Sequence, residues 1–280
     1  MNINFIGTAA FEGFPGLFCS CKACALAMSL KGKNLRTRSG VIINENLLVD
    51  VNPDLLQQRF TQGIDLQKIK DVLVTHHHED HFNPQLLLAH MPPFCDTEET
   101  LHIYATAPTV EAFNDMINKN GHTRLSEHVI LHQIAPGEWF ETSTGYKAFA
   151  IEAQHSATDS VIYLIKNGNK DVLYGTDTGT PADIAFEQMQ TALGGKHLDM
   201  AILDCTNGLD AVDYFGHMGL PENLEMKDKM ISLSIAGKNT IFISTHFSHN
   251  LGKGATHQQM EDEFGKHEML VAFDGLEMQV

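Results

Sequence analysis

No run in the chain is long and apolar enough to be read as a membrane span, and cationic side chains are scarce. Lysine and arginine number 19 against 35 aspartates and glutamates, a formal net charge of −16. Such a surface repels polyanions at long range, so stable nucleic-acid binding and adhesion to anionic membranes are not expected. A small anion could still reach a site whose local field is set by bound cations. The first residues, Met1 to Ile6, lack a basic leader, and Glu12 and Pro15 interrupt any apolar run. Neither a signal peptide nor a membrane anchor is therefore expected. The five cysteines are an odd count, with three crowded into Cys19-Ser20-Cys21-Lys22-Ala23-Cys24. That pattern does not suit an extracellular disulfide framework and fits a reducing cytoplasm. Repeats, low-complexity tracts and composition breaks are missing too. The 280 residues, 43% of them hydrophobic, read as one domain spanning 1–280.

What the chain does contain is the string Val74-Thr75-His76-His77-His78-Glu79-Asp80-His81-Phe82. It follows Ile69-Lys70-Asp71-Val72-Leu73, an apolar, β-branched run that reads as a buried strand, and precedes an expected helix at Pro84 to Leu88. His76, His78, Asp80 and His81 offer imidazole and carboxylate ligands, a set that suits zinc, manganese or iron. Three other strand-like runs also end on a candidate ligand. They are Phe149 to Ala153 before His155, Leu173-Tyr174 before Asp177, and Ile241 to Ile243 before His246. Loops at one edge of a sheet can converge on a point while the strands hold them rigid.

The rest of the chain alternates strands and helices. Further strands are expected at Asn2 to Ile6, across a hairpin from Val41 to Asp50, and at His102 to Ala105, Val129 to Leu131, Tyr146 to Ile151, Ser160 to Ile165 and Met200 to Leu203. A closing strand is expected at Met269 to Phe273. Helices are expected after Thr109, from Pro181 to Gly194, after Pro221 and after Thr256. Asp50, at a strand end, supports two readings: a turn or cap residue, or a carboxylate that orients a ligand histidine. This periodicity favours packed sheets covered by helices, α/β or α+β.

The His-x-His-x-Asp-His string, with His155, Asp177 and His246 following in order, resembles the metallo-β-lactamase superfamily. The resemblance runs from Phe5-Ile6-Gly7-Thr8 to the final strand and implies an αββα sandwich. It implies that His76, His78 and His155 hold one divalent metal, zinc or manganese, and that Asp80, His81 and His246 hold a second, with Asp177 bridging. His77 and Glu79 would point elsewhere. Asp80 would serve catalysis as well as metal binding. A histidine at position 78 resembles the hydrolytic members, whose bridging hydroxide is the nucleophile.

The string Phe18 to Cys24, followed by Arg36-Thr37-Arg38-Ser39-Gly40, is similar to the PhnP-like phosphodiesterase branch. That likeness implies a structural zinc on Cys19, Cys21, Cys24 and His249. It also implies a catalytic role for His217, in Tyr214-Phe215-Gly216-His217, on the scissile phosphate. Taken alone, His217 could equally be a surface-loop histidine or a helix cap. Cys95 and Cys205 read as buried thiols, and the other histidines carry no assigned role. The expectation is a metal-dependent hydrolase cleaving small or cyclic phosphodiesters. Its partner would be that small-molecule substrate, with a homodimer left open. Competing readings are a tRNA 3′-processing endonuclease, a lactone or thioester hydrolase, and a PqqB-like cofactor-biosynthesis protein.

Overall fold

The computed structural model describes residues 1–211, 214–249 and 253–280. The first half of the chain supplies strands β1 (Asn2–Gly7), β2 (Gly40–Ile43), β3 (Leu47–Val49), β4 (Asp71–Leu73), β5 (Leu101–Ala105) and β6 (Val129–Gln133). The second half supplies β7 (Trp139–Glu141), β8 (Lys147–Glu152), β9 (Val161–Asn167), β10 (Lys170–Gly175), β11 (Met200–Asp204), β12 (Ile241–Thr245), β13 (Leu270–Val271) and β14 (Leu276–Gln279). One mixed sheet runs β14-β1-β2-β3-β4-β5-β6 and the other β13-β12-β11-β10-β9-β8-β7. The α-helices are α1 (Lys22–Leu30), α2 (Leu55–Gln62), α3 (Ala107–Asn120), α4 (Asp183–Leu193), α5 (Leu220–Ser232) and α6 (His257–Gly265), with short 3-10 turns between some elements.

Alternation along the strands builds the layers. Ile3 and Phe5 of β1, Val41 and Ile43 of β2, and Val172 and Tyr174 of β10 point into one buried cluster between the sheets. Leu173, Ala201 and Leu203 point the other way, into a cluster with Phe186 and Met189 of α4, Met226 and Met230 of α5, and Phe264 of α6. Ile103 of β5 meets Phe113 and Ile117 of α3 on the outer face of the first sheet. Strands covered on both faces are near-continuously apolar, which is why Met200 to Leu203 shows no alternation in its sequence. The result is the αββα sandwich expected from the resemblance.

Several local expectations need correction. The segment after Asn83 is a 3-10 helix, Pro84–His90, rather than an α-helix. Helix α3 starts at Ala107, with Thr106 rather than Thr109 at its N-cap. The closing strand is β14, which pairs antiparallel with β1, while Met269 to Phe273 contributes only the two-residue β13. Strand β14 reads Leu276-Glu277-Met278-Gln279, with each second residue exposed, so its apolar content is too low to mark it. Cys205 is buried, but Cys95 is only half-buried, in a segment outside the helices and strands. Among the described residues, no helix is long and apolar enough to cross a membrane.

Candidate metal centre

The histidine string leaves β4 and is fastened to the second sheet. Val161 N–H donates to Thr75 O (3.0 Å), and Tyr163 Oη–H donates to Val74 O (2.6 Å). His155 follows β8, Asp177 follows β10, Thr206 follows β11 and His246 follows β12, and all of them line one cavity of about 610 Å³. Asp50, Asp177 and His246 each adopt positive φ, at 70°, 55° and 65°. Non-glycine residues rarely sit there, and they stay only when their surroundings over-determine them.

Four residues, His76, His78, His155 and Asp177, offer ligand atoms within 4.8 Å of one another. Asp80, His81, Asp177 and His246 form a second such group, so Asp177 belongs to both. His76 Nε2 and His81 Nε2 approach Asp177 Oδ2 at 3.2 and 3.1 Å. Even so, His76 Nε2, His81 Nε2 and His246 Nε2 are all buried without a well-formed hydrogen bond. A buried polar atom left unpaired costs about 1–3 kcal/mol, and here three imidazole nitrogens converge on Asp177. Cations fit that basin. His78 Nδ1 and His155 Nε2 face each other at 3.2 Å, and two imidazole nitrogens on one tetrahedral zinc would lie about 3.3 Å apart from zinc–nitrogen bond lengths.

The other ring nitrogens are committed, which directs the free ones inward. His81 Nδ1 meets Asp50 Oδ2 at 2.7 Å, and His155 Nδ1 meets Gly216 O at 3.2 Å. His76 Nδ1 meets Thr75 Oγ1 at 3.0 Å, and His246 Nδ1 meets Thr206 Oγ1 at 2.9 Å. Metal-binding histidines are oriented in this way by outer partners. Asp50 is therefore the orienting carboxylate of the two readings rather than a turn residue. It also accepts from Thr75 N–H (2.9 Å).

Asp204 escaped the sequence reading. It ends β11, fully buried, and its Oδ2 lies 3.2 Å from His246 Nδ1 and 3.4 Å from His217 Nδ1. The signal was present: like the candidate ligands, it is the polar residue that closes an apolar strand. Asp177, Asp204, His217 and His246 form a third group of convergent donors. Burial opposes ionisation of Asp204, but the bonds to His217 and His246 hold its carboxyl down at about 2. Burial likewise opposes charge on His217, yet Asp177 (Nδ1 to Oδ1, 3.1 Å) and Asp204 lift it to about 11. His76 goes the other way, pushed down to about 3 by burial and by the neighbouring His81. Burial also opposes charge on His81 and His246, but the neighbouring carboxylates, Asp80 and Asp50 at His81 and Asp177 and Asp204 at His246, shift both upward from the ordinary imidazole range. His77 and Glu79 belong to none of these groups, though both line the cavity.

Cys19, Cys21 and Cys24, with His249 three residues beyond His246, bring three sulfurs and a ring nitrogen within 4.8 Å of one another. His249 Nδ1 lies 3.6 Å from Cys21 Sγ and 3.8 Å from Cys19 Sγ. Zinc–sulfur and zinc–nitrogen bonds in a tetrahedron put those atoms about 3.6 Å apart. Backbone N–H groups of Gly16, Cys21 and Cys24 donate to the three sulfurs. The Cys24 N–H bond comes first in drawing the Cys21 thiol down to about 6, while burial pushes Cys24 up to about 12. Glu12 joins the two regions: it lines the large cavity, accepts from Ser248 Oγ, and lies 3.6 Å from His249 Nε2.

Residues 45–247 match the Beta-lactamase superfamily domain. The ribonuclease Z of Methanosarcina acetivorans is 30% identical over 178 residues, covering 60% of this chain and 57% of that relative. The match thus spans little more than half the relative's length. A solved structure described as a new diphosphatase from the PhnP family superposes with a TM-score of 0.75 at 22% identity, covering 100% of this chain and 97% of that one. Zinc-bound PqqB from Methylobacterium extorquens superposes with a TM-score of 0.70 at 18% identity over 100% of both chains. Identities that low speak to the fold alone. The family match over most of the chain, on a two-sheet sandwich with histidines and aspartates gathered at the strand ends, places this protein in the metallo-β-lactamase superfamily, a family of metal-dependent hydrolases.

Proposed function

We propose that this protein is a phosphodiesterase that acts on small or cyclic phosphodiesters with two divalent cations, zinc or manganese, in its histidine–aspartate basin. The observation that carries the reading is the pair of donor groups sharing Asp177, with three buried imidazole nitrogens unpaired around it. His76, His78 and His155 would hold one ion and Asp80, His81 and His246 the other, with Asp177 between them. Cys19, Cys21, Cys24 and His249 would hold a structural zinc. When bound, the cation pair lowers the pKa of a shared water and offsets charge on the phosphate oxygens.

The chain's own residues do the remaining work. Asp80, whose Oδ2 is 3.3 Å from His81 Nε2 and which lines the cavity, would take a proton as water attacks phosphorus. His217 is held through Nδ1 by Asp177 and Asp204, which leaves Nε2 to give its proton to the departing alkoxide as the phosphorus–oxygen bond breaks. Asp50, Thr75, Thr206 and Gly216 O keep the imidazoles turned inward.

The identity to ribonuclease Z favours a second reading, cleavage of tRNA 3′ extensions. Against it stand the net charge of −16 and a candidate catalytic cavity lined by Glu12 and Glu79, with no lysine or arginine in its lining among the described residues. Lactone or thioester hydrolysis and a PqqB-like role could use the same donors. One screen separates these readings. The purified protein is offered bis(p-nitrophenyl) phosphate, a 2′,3′-cyclic nucleotide, a tRNA precursor, a lactone and a chromogenic cephalosporin. Turnover of the first two above the rest is the expected result, and turnover of the tRNA alone or the lactone alone would replace the proposal.

A further inference from the structure

The string Arg36-Thr37-Arg38-Ser39-Gly40 places one of its two guanidinium groups where a charge is costly. Arg36 is 4% exposed, and none of its hydrogen-bond partners is a carboxylate. Nη1 donates to Thr8 Oγ1 (2.8 Å) and to Ala272 O (2.5 Å), Nη2 donates to His257 Nδ1 (2.9 Å), and Nε is unpaired. Burial brings Arg36 down to about 10, so it stays cationic at neutral pH. Burial and the Arg36 charge push His257 down to about 4, which leaves its imidazole neutral and able to accept. The carboxylate of Asp274 is one hydroxyl away, accepting from Thr8 Oγ1 (2.7 Å). An apolar side chain would fill this space without the desolvation cost of a guanidinium. What arginine adds is a rigid planar fork. Here the fork reaches three segments at once: the residue after β1, the residue after β13 and the first residue of α6.

These segments frame Phe247. The guanidinium carbon of Arg36 lies 4.6 Å from the centroid of the Phe247 ring, which is itself 1% exposed. The backbone of Phe247 is pinned as well: its N–H donates to Thr8 O (2.8 Å), and its carbonyl accepts from Ala10 N–H (3.1 Å). Thr8 therefore receives Arg36 on its hydroxyl and Phe247 on its carbonyl. Strand β12 ends at Thr245, and the next residue, His246, has φ of 65°. A non-glycine residue stays in that region only where its neighbours hold it. The strand holds His246 on one side, and Phe247 holds it on the other.

We propose that Arg36 is a positioning residue for the candidate metal centre: held by Thr8, Ala272 and His257 over the Phe247 ring, it fixes the turn that aims His246 Nε2 at its ion. This rests on the two-cation reading and goes beyond it, because Arg36 touches neither the donor atoms nor the cavity above them. Its charge acts through the ring face, where a desolvated cation–π contact is strongest.

The test titrates the two basin cations by chelator competition with a chromophoric indicator, using zinc alone as the probe. His246→Ala and His78→Ala identify which binding step belongs to which ion. Arg36→Met should weaken the step that His246→Ala abolishes by about 5- to 30-fold, the range of a cation–π contact from exposed to desolvated, and leave the other step within twofold. Phe247→Leu should weaken the same step selectively. The double variant should be no weaker than the weaker single, because both changes break one contact. Circular dichroism checks folding, and if Arg36→Met does not fold, Phe247→Leu decides alone. A folded variant that binds both ions as wild type does overturns the inference. So does equal weakening of both steps, which would make Arg36 a general support of the fold. A wild type with no zinc step in the basin overturns the two-cation reading, and the inference with it.

Discussion

Replacing Asp204 with asparagine removes one charge and almost no volume, so it isolates what that buried carboxylate does. Its two oxygens face different partners. Oδ1 accepts from Thr206 N–H (3.1 Å) and Met218 N–H (2.9 Å), and Oδ2 accepts from Asp177 N–H (3.2 Å) beside His246 Nδ1 (3.2 Å). Asparagine can serve one set with its oxygen but must turn its amide donors toward the other. If it keeps the two N–H groups at Oδ1, donors face Asp177 N–H and the His246 nitrogen whose proton fixes the ring's tautomer. Hydrogen bonds to charged groups are worth about 1.5–3 kcal/mol, and outer partners of metal-binding histidines typically contribute about 10–100-fold in metal affinity or activity. We predict that Asp204→Asn weakens the affinity for the ion beside His246 by about 10–100-fold, with a smaller effect on the ion beside His78. Chelator competition with a chromophoric indicator measures the affinity, and hydrolysis of bis(p-nitrophenyl) phosphate at rising metal concentration shows whether excess ion restores turnover. An affinity within twofold of wild type would refute the assignment of Asp204 as the residue that orients His246.

Three further outcomes are expected. Cys21→Ala should lose one ion and melt at a lower temperature, because it removes both a metal-binding sulfur and the N-cap acceptor of α1, while the turnover of folded protein changes little. Unchanged melting and unchanged zinc content would count against it. His217→Ala should keep its metals and slow hydrolysis of an unactivated alkyl diester by about 100- to 10,000-fold, with a smaller loss on p-nitrophenolate, which needs little protonation. Equal losses on the two leaving groups would point to charge stabilisation of the phosphate instead. Glu79→Gln, at an exposed carboxylate on the cavity mouth, should raise affinity for an oligonucleotide at low salt and do so less at high salt; the same affinity at both salts would show that the charge does not gate polyanions.

The candidate donors were legible because their pattern is local: four of them lie within six residues, and the others each close an apolar strand. The two-sheet fold was legible for a similar reason, since Val172 to Tyr174 and Met200 to Leu203 carry enough β-branched and apolar residues to mark buried strands. What stayed hidden depends on tertiary placement. Asp204 closes an apolar strand as the candidate ligands do, but only the fold shows that β11 sets it behind His246. Thr75 and Thr206 read as ordinary threonines until their hydroxyls meet His76 and His246. Strand β14 is defined by its partner β1 and not by its own composition. Helix α2, Leu55–Gln62, has the polar run Gln57-Gln58-Arg59 in its middle and buries only Leu55 and Gln58, so its periodicity is faint.

The most direct test of two cations held through Asp177 and a third held by the cysteines is a metal count. Elemental analysis of protein purified without chelator would be run on wild type, Asp177→Ala and Cys21→Ala, each checked for folding by circular dichroism. The account predicts about three ions per chain in wild type, about one in Asp177→Ala with hydrolysis abolished, and about two in Cys21→Ala with hydrolysis retained. A folded wild type that holds at most one ion and still hydrolyses diesters, or a folded Asp177→Ala that keeps all its ions and its activity, would contradict it.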